Sequence, residues 1–298
     1  MIRRGSARRR SIVFVGAVAV GVAACGDDAA SRADTVAAMT DAEVPAEWAA
    51  FADEATALEV AATELCVAAE GTTADVAAAG AATRASWSYL NPWWFGPVMD
   101  RRARFIVDSD VDTAEIDELL DNGEPIDAAA LRDLYGADQR GLGAIDAVLS
   151  DALDERTCAF VVANAELVRV EADALAAEWV DYGPSLGADD AAANEAIELM
   201  VNESLFALAA LREETDAGVA GATLRGIEWA MVGDGTDTAV GIGPLLDDDV
   251  AERLAADLAA AIDDPSDANL MAVEVTITTN VVSALGLAVQ FSDADGDG

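Results

Sequence analysis

LYGADQRGLGAIDAVLSD, residues 134–151, combines glycines, an arginine and carboxylates within an otherwise apolar helical pattern. Gly136, Gly141 and Gly143 predict a turn followed by a helix start, because a residue without Cβ permits close backbone approach or unusual φ and ψ angles. The apolar residues that follow share one face of the predicted helix, and Asp146 lies beside that face in its first turn. We therefore expect the rest of the chain to be organised around this stretch.

The same residues resemble the signature of the imelysin-like family of bacterial envelope proteins, Gly-x-His-x-x-Glu followed by a short apolar run. Gly141 to Asp146 occupy that frame, with Gly143 where the family has histidine and Asp146 where it has glutamate. Two flanking segments also resemble the family, namely TRASWSYLNPWWFGPVMD (83–100) and VDTAEIDELLDNGEPIDAAAL (111–131). The likeness covers most of residues 45–290 and implies an all-α fold of two related helical bundles packed together.

Composition independently favours a helical protein. The 298 residues are 53% hydrophobic but only 5% aromatic, and alanine supplies much of the apolar fraction. Alanine is the strongest helix former, so closely packed helices are favoured over a β-sandwich. A chain of this length can bury a full core, either as one large domain or as two bundles.

Charge and the absence of histidine exclude several classes of function. The formal net charge is −39, with 17 arginines, no lysine and no histidine, so phosphate backbones are repelled and nucleic-acid binding is excluded. Without histidine, Ser-His-Asp catalysis and histidine-ligated metal sites are also excluded. The acidity is typical either of solubility, for instance in a salty habitat, or of cation attraction.

The amino terminus predicts export and lipid anchoring. Residues 1–25 have a basic start and a short apolar stretch that ends in Val-Ala-Ala-Cys, which resembles a bacterial lipobox with lipidation at Cys25. The alternative is an ordinary cleaved signal with an incidental cysteine. Loss of these residues removes five of the 17 arginines and no carboxylate, which leaves a charge of −44. Residues 26–44 are rich in Ala, Asp, Ser and Thr and predict a flexible tether, so the protein is expected to be exported and anchored to a membrane.

Apolar periodicity divides the remaining chain into two helical bundles, 45–183 and 184–291, and an acidic tail, 292–298. In the first bundle, Thr113 and Asp127 are expected as N-caps, and a long helix is expected to end at Gly183-Pro184. The glycine-rich residues 233–243 predict a flexible surface loop. The expected helices start at Pro45 and then span about 75–89, 113–122, 127–134, 153–182, 197–211 and 247–262. Residues 267–291 fit either a strand or a helix, and their length without an internal turn favours a helix.

Two clusters of side chains allow alternative interpretations. Cys66 and Cys158 predict either a disulfide in an oxidising compartment or two buried free thiols. The aromatic residues around Asn91-Pro92 predict core packing at the end of a bundle, although they could line a ligand pocket. These residues are Trp87, Tyr89, Trp93, Trp94 and Phe95.

A second segment repeats the pattern of the first. Arg225-Gly226 is followed by Glu228, as Arg140-Gly141 is followed by Asp146. A duplicated helical unit would explain this, and chance similarity in an alanine-rich chain is the alternative. Duplication would let Asp146 and Glu228 face each other with Arg140 and Arg225 nearby, where the carboxylates could ligate iron or another hard cation. The alternative for these residues is an Arg-carboxylate pairing that ties the bundles together.

The resemblance implies an envelope-anchored protein linked to the acquisition of iron or another metal, and peptidase activity (M75-type) is attributed to parts of the family. Because the imidazole of the motif is replaced by Gly143, we favour a ligand-binding module over catalysis. The alternatives are a peptidase-like enzyme and a non-catalytic interaction scaffold that has lost the family site. The expected partners are a membrane, through the lipid anchor, and a metal or metal-bearing ligand.

Overall fold

The computed structural model describes residues 31–149, 153–233 and 241–288, and no strand occurs in these ranges. The all-α prediction is therefore confirmed for them. The signal segment with Cys25, most of the glycine-rich loop and the acidic tail lie outside the described residues. The α-helices are α1 Arg32–Ala38, α2 Val44–Thr63, α3 Thr73–Tyr89, α4 Pro97–Asp100, α5 Arg104–Val107, α6 Thr113–Asp121, α7 Ala128–Leu134, α8 Leu142–Leu149, α9 Glu155–Leu186, α10 Asp190–Ala210, α11 Ala217–Met231, α12 Asp248–Asp263, α13 Asp267–Val275 and α14 Val282–Leu285.

Short 3-10 and π-helical turns connect several of these helices. The 3-10 turns are Asn91–Trp93, Ala137–Gln139 and Gly243–Leu245, and the π-helical turns are Met39–Glu43, Glu64–Ala68 and Thr276–Val281. The last π-turn joins α13 to α14, so residues 267–285 form one continuous helical segment that ends at Gly286, whose φ is +62°.

The prediction of a flexible tether is wrong for residues 32–44, which are helical. Ser31 caps α1 by accepting a hydrogen bond from the Asp34 amide, and the apolar residues Val36, Met39 and Val44 are buried. Their spacing of three to five residues is helical, but the small polar residues between them hide it in the sequence. These residues pack against the end of α9 and against α10.

Two predicted boundaries are also wrong. The N-cap of α6 is Asp112, whose carboxylate accepts hydrogen bonds from two amides, and Thr113 is the first helical residue. Helix α9 continues through Gly183-Pro184 to Leu186. Proline is tolerated there because only the last turn loses a hydrogen bond. Gly183 is needed at this point, since a Cβ would lie 2.6 Å from the carbonyl O of Thr40.

The two halves of the chain share one hydrophobic core. Helix α10 packs against α1 and against the 3-10 turn Asn91–Trp93, while α11 packs against α3. The helices α11 and α3 approach closely because Gly226 has no side chain, and a Cβ there would overlap the carbonyl O of Tyr89. The apolar residues of both halves form a single buried cluster.

Aromatic rings fill the centre of that core. Trp179 of α9 stacks on Trp48 of α2 with ring centroids 5.7 Å apart, and its edge faces Trp93 at 6.1 Å. Trp93 also contacts Trp229 of α11 at 5.9 Å. The prediction of core packing for the aromatic cluster is thus confirmed for Trp87, Trp93 and Phe95, which are buried.

A buried carboxylate ties α9 to two neighbouring segments. Glu171 is fully buried, and its two oxygens accept hydrogen bonds from Arg101 at 2.7 and 3.0 Å and from Arg132 at 2.8 Å. Arg101 also forms an ion pair with Glu178, which lies seven residues after Glu171 on α9. Because an unpaired buried charge would be strongly destabilising, the two guanidinium groups are required for this carboxylate to be buried.

The structure joins Cys66 and Cys158 in a disulfide, with the two Cα atoms 5.1 Å apart. The bond connects the π-turn after α2 to the first turn of α9 across 92 residues of sequence. When a disulfide closes a loop of this length, the unfolded chain loses much conformational freedom, and this stabilises the folded state.

We expect reduction of this disulfide to lower the free energy of unfolding by about 2–4 kcal/mol, because the unfolded state gains entropy. Urea unfolding with and without dithiothreitol would measure the difference. A variant with both cysteines replaced by serine is the control, since reductant should not change its midpoint. Equal midpoints for oxidised and reduced wild type would contradict the prediction.

Candidate functional site

Helix α8, which carries the motif, begins at a turn that only glycine fits. Gly141 has a φ of +85°, and a Cβ there would lie 2.6 Å from the carbonyl O of Val107. The Gly141 amide donates to Oδ1 of the buried Asn164 at 2.7 Å. Helix α9 therefore fixes the start of α8 through one side-chain amide.

Gly143, at the position of the family's histidine, packs against the loop that follows α5. A Cβ there would lie 3.0 Å from Cγ1 of Val111 and 3.1 Å from the carbonyl O of Ser109. The Gly143 amide also donates to the carboxylate of Asp108. The space that an imidazole would need is thus occupied by protein atoms.

Asp146 belongs to an ion-pair cluster of three residues, which we call the Arg84 cluster. Arg84 of α3 contacts Asp146 at 2.7 Å through Nη1, and it contacts Asp108 through Nε at 2.8 Å and Nη2 at 3.3 Å. The Asp146 side chain is 46% exposed, whereas those of Arg84 and Asp108 are 17% and 24% exposed. Sequence reasoning missed Arg84 and Asp108, since neither lies in the motif.

The electrostatics of this cluster differ between its members. Burial raises the pKa of Asp108, and although the charge of Arg84 lowers it, the net shift is upward. Burial acts to lower the pKa of Arg84, but Asp108 and Asp146 outweigh this effect and raise it. Arg84 therefore stays charged, while Asp108 takes up a proton at a higher pH than an ordinary aspartate does.

A cavity of about 500 Å³ adjoins the disulfide, and another cavity reaches the Arg84 cluster at Asp108. This second cavity, the Asp108 pocket, has a volume of about 380 Å³ and is lined by Arg104, Phe105, Asp108, Ser109 and Asp110. Arg104 lies over the Trp94 ring, 5.1 Å from its centroid, and forms an ion pair with Glu203 of α10.

Arg140 does not accompany Asp146. Its guanidinium donates to the carbonyl O atoms of Phe105 at 2.9 Å, Leu131 at 3.1 Å and Arg132 at 2.8 Å. Burial lowers the pKa of Arg140, with a smaller contribution from Arg132. Arg140 thus satisfies backbone carbonyls near α5 and α7 and has a structural role.

The second segment adopts a different conformation from the first. Gly226 lies inside α11, whereas Gly141 forms the turn before α8, so the two Arg-Gly pairs differ in backbone conformation. Arg225 is exposed, and burial raises the pKa of Glu228, partly offset by Arg225. Within the described ranges, no hydrogen bond or ion pair joins Glu228 to Asp146.

The carboxylates of Asp146 and Glu228, which were expected to ligate iron or another hard cation, are not part of a cluster that fits a resident metal ion. Among residues 31–149, 153–233 and 241–288, no group of three or more Asp, Glu or Cys side chains is placed to hold one. The two carboxylates nearest the motif share Arg84 instead, and its positive charge opposes a cation at the same place.

The fold of this chain is similar to those of two solved structures. The chain is similar to the crystal structure of an imelysin-like protein from Psychrobacter arcticum 273-4, with a TM-score of 0.73 and 16% identity, over 91% of this chain and 100% of that one. The chain has the imelysin-like fold. It is also similar to a putative iron-regulated protein A precursor from Parabacteroides distasonis ATCC 8503, with a TM-score of 0.64 and 14% identity, over 86% and 93% of the two chains. No protein-family profile and no curated protein matches the sequence.

The imelysin-like fold keeps its motif helix here without the motif histidine. We expect Gly143→His to lower the free energy of unfolding by about 1–3 kcal/mol, because overpacking forces neighbouring atoms to move. Gly143→Ala is the matched control and should be close to neutral, since its helix propensity offsets the tight Cβ contacts. Urea unfolding measures both. A histidine variant as stable as wild type would show that the site still has room for an imidazole.

We expect Arg84→Ala to destabilise the fold by about 2–3 kcal/mol at pH 7, because it leaves the mostly buried Asp108 without its cation. Asp146→Ala should cost less than about 1 kcal/mol, since Asp146 is half exposed. Without Arg84 the pKa of folded Asp108 rises further above its unfolded value. The loss of unfolding free energy in Arg84→Ala should therefore have its full size at pH values above the pKa of Asp108 in the folded variant. It should become smaller as the pH falls through that pKa. Urea unfolding between pH 4 and pH 7 (about one pH unit per step) tests this, and equal losses for both variants would contradict it.

Proposed function

We propose that this protein is a non-catalytic, envelope-anchored ligand-binding protein of imelysin-like fold, linked to the acquisition of iron or another metal. The observation that carries the proposal is the Arg84 cluster at the motif helix, with half-exposed Asp146 and the adjoining Asp108 pocket. A pocket of about 380 Å³ lined by a few polar groups has the size of a small-molecule site.

The chemistry of the pocket favours a metal-bearing complex over a bare ion. Arg104 lines the pocket and supplies a cationic donor suited to a carboxylate-bearing ligand, and Arg84 lies next to the lining residue Asp108. Such a complex brings its own metal donors, so the protein need not provide them. The similar protein from Parabacteroides distasonis is named as iron-regulated, which supports a link to iron.

Two observations support an exported location. Disulfides persist in oxidising compartments outside the cytoplasm, and Cys66 and Cys158 are paired here. The similar protein from Parabacteroides distasonis is named a precursor. Together with the lipobox-like sequence that ends at Cys25, these features support a lipid-anchored protein of the cell envelope.

A scaffold without a ligand is the second candidate. The pairing of Asp146 with Arg84 favours it, because an ion pair satisfies both groups without a bound molecule. The two candidates differ in what the loss of Asp108 would do, since Asp108 both pairs with Arg84 and lines the pocket.

Calorimetric titration of the full chain at physiological salt tests the proposal, because salt suppresses loose counterion binding by the acidic surface. Ferric citrate, iron-free citrate, ferrous iron, calcium and zinc are the probes. We expect saturable binding of ferric citrate near one equivalent, and a loss of roughly tenfold in affinity for Arg104→Gln, as expected when one charge-assisted hydrogen bond is removed.

Matched variants separate the outcomes. Asp133→Asn changes an exposed carboxylate on α7, away from the pocket, and should bind like wild type. Tighter binding of the bare ions than of ferric citrate would reject the metal-bearing complex. If no probe binds and Asp108→Asn only lowers stability, the scaffold is the better description.

A further inference from the structure

The helical segment 267–285 buries one of its sides in the protein. Its buried apolar residues face α12 and the common core, and they are Leu270, Val273, Ile277, Val281 and Leu285. By length and composition this segment could cross a membrane, and no other helix of the described ranges passes the same test. Crossing would remove these five residues from the core, so the folded protein keeps the segment on its surface.

The opposite side of the segment is apolar and exposed. Met271 is 55% exposed and Val275 is 53% exposed, and the exposed Thr279 and the partly buried Val282 continue the same stripe at helical spacing. We call these four residues the neutral stripe. Between residues 268 and 288 the sequence has one charged residue, Glu274, and it forms an ion pair with Arg212. Asp257 of α12 accepts a hydrogen bond from Thr276, so a carboxylate of a neighbouring helix contacts the segment. In a chain of net charge −39, the segment itself is poor in carboxylates.

The helical segment that carries the neutral stripe ends next to the first described residues of the chain. Arg32, the first residue of α1, donates a hydrogen bond from its guanidinium to the carbonyl O of Leu285, the last residue of α14. The same guanidinium also contacts Asn194 of α10. The first described residues of the chain therefore contact the end of the segment that carries the stripe.

Covalent geometry limits how far this place can be from a lipid on Cys25. Ser31 is the sixth residue after Cys25, and a chain of that length spans at most about 20 Å. A lipid anchor at Cys25 would hold the carboxyl end of the segment within that distance of the bilayer. The anchor itself belongs to the function proposed above, and this inference rests on it.

We propose that this protein contacts the membrane surface through the neutral stripe. Anionic lipids repel a carboxylate-rich surface, and the repulsion is weakest where carboxylates are few. Apolar side chains at the headgroup boundary gain by leaving water, although a few of them cannot hold a protein there alone. The anchor supplies the attachment, and the neutral stripe sets the orientation of the protein.

Site-directed fluorescence of the full, lipidated chain tests the orientation. With Cys25 acylated through its thiol and Cys66 bonded to Cys158, the introduced cysteine of Val275→Cys is the free thiol for an environment-sensitive dye. Leu134→Cys, on α7 and 70% exposed, is the matched control. The protein is reconstituted in vesicles of phosphatidylethanolamine and phosphatidylglycerol with a nitroxide-labelled lipid.

We expect the lipid nitroxide to quench the dye at position 275 at least roughly twofold more than the dye at position 134, as expected for a face held at the headgroup boundary. Met271→Cys should behave like Val275→Cys, and it replaces that variant if Val275→Cys does not fold. Circular dichroism checks folding.

Three results would overturn the proposal, and they differ from one another. If mass spectrometry finds no lipid on Cys25, the anchor and the orientation both fail. If the lipid is present but both positions are quenched equally, only the orientation fails. If quenching at position 275 is absent while its dye emission depends on the ratio of protein to lipid, a second copy of the chain covers the stripe.

Discussion

The stacking of Trp179 on Trp48 is the contact on which the architecture depends, because it joins the long helix α9 to α2 at the centre of the core. Trp93 extends the contact from Trp179 to Trp229 of α11, and so to the second half of the chain. The indole N–H groups at the centre have no hydrogen-bond acceptor within the described ranges, and they are those of Trp48, Trp87, Trp93, Trp94 and Trp179. Burial of ring surface must therefore outweigh the cost of these unsatisfied donors. The same rings reach the Asp108 pocket, since Trp94 stacks on Trp87 and lies under Arg104.

Helical periodicity and alanine content were enough to predict the all-α fold and the positions of most helices. They failed where packing, not local pattern, decides the conformation. Residues 32–44 read as a tether because only three large apolar side chains among small polar ones mark the buried side. The end of α9 was misplaced because Gly183 and Pro184 normally stop a helix, whereas here Gly183 permits contact with Thr40.

The candidate site shows the same limit. The motif residues Gly141, Gly143 and Asp146 were predicted, but their partners Arg84 and Asp108 lie 62 and 38 positions before Asp146, with no motif of their own. Arg140 and Arg225 were expected beside the carboxylates because of adjacency in sequence. Backbone geometry instead directs Arg140 to carbonyl groups and leaves Arg225 exposed. Whether a ligand binds at Asp146 stays a prediction, as sequence and geometry fix donors but not affinity.

Arginine is the sole basic residue type in this chain, and its placement explains how so acidic a protein keeps a buried polar framework. Arg101 and Arg132 neutralise the buried Glu171, and Arg84 does the same for Asp108. A planar guanidinium can donate to two acceptors at once, which a lysine ammonium does less well. Apart from Glu171, the carboxylates of the described ranges are at least partly exposed to solvent, where their mutual repulsion weakens as salt screens it. A rise in stability with ionic strength follows from this distribution.

Several close backbone contacts of this fold are made at glycines. Gly226 meets Tyr89, Gly141 meets Val107 and Gly183 meets Thr40, in each case at a carbonyl group of the backbone. A contact between backbones places no demand on the side chains around it, and an alanine-rich helix needs few specific neighbours to pack. Amino-acid replacements can therefore accumulate over most of the chain while the arrangement of helices persists. The similarity to the imelysin-like protein from Psychrobacter arcticum, with a TM-score of 0.73 at 16% identity, is consistent with a fold that is kept while the sequence changes.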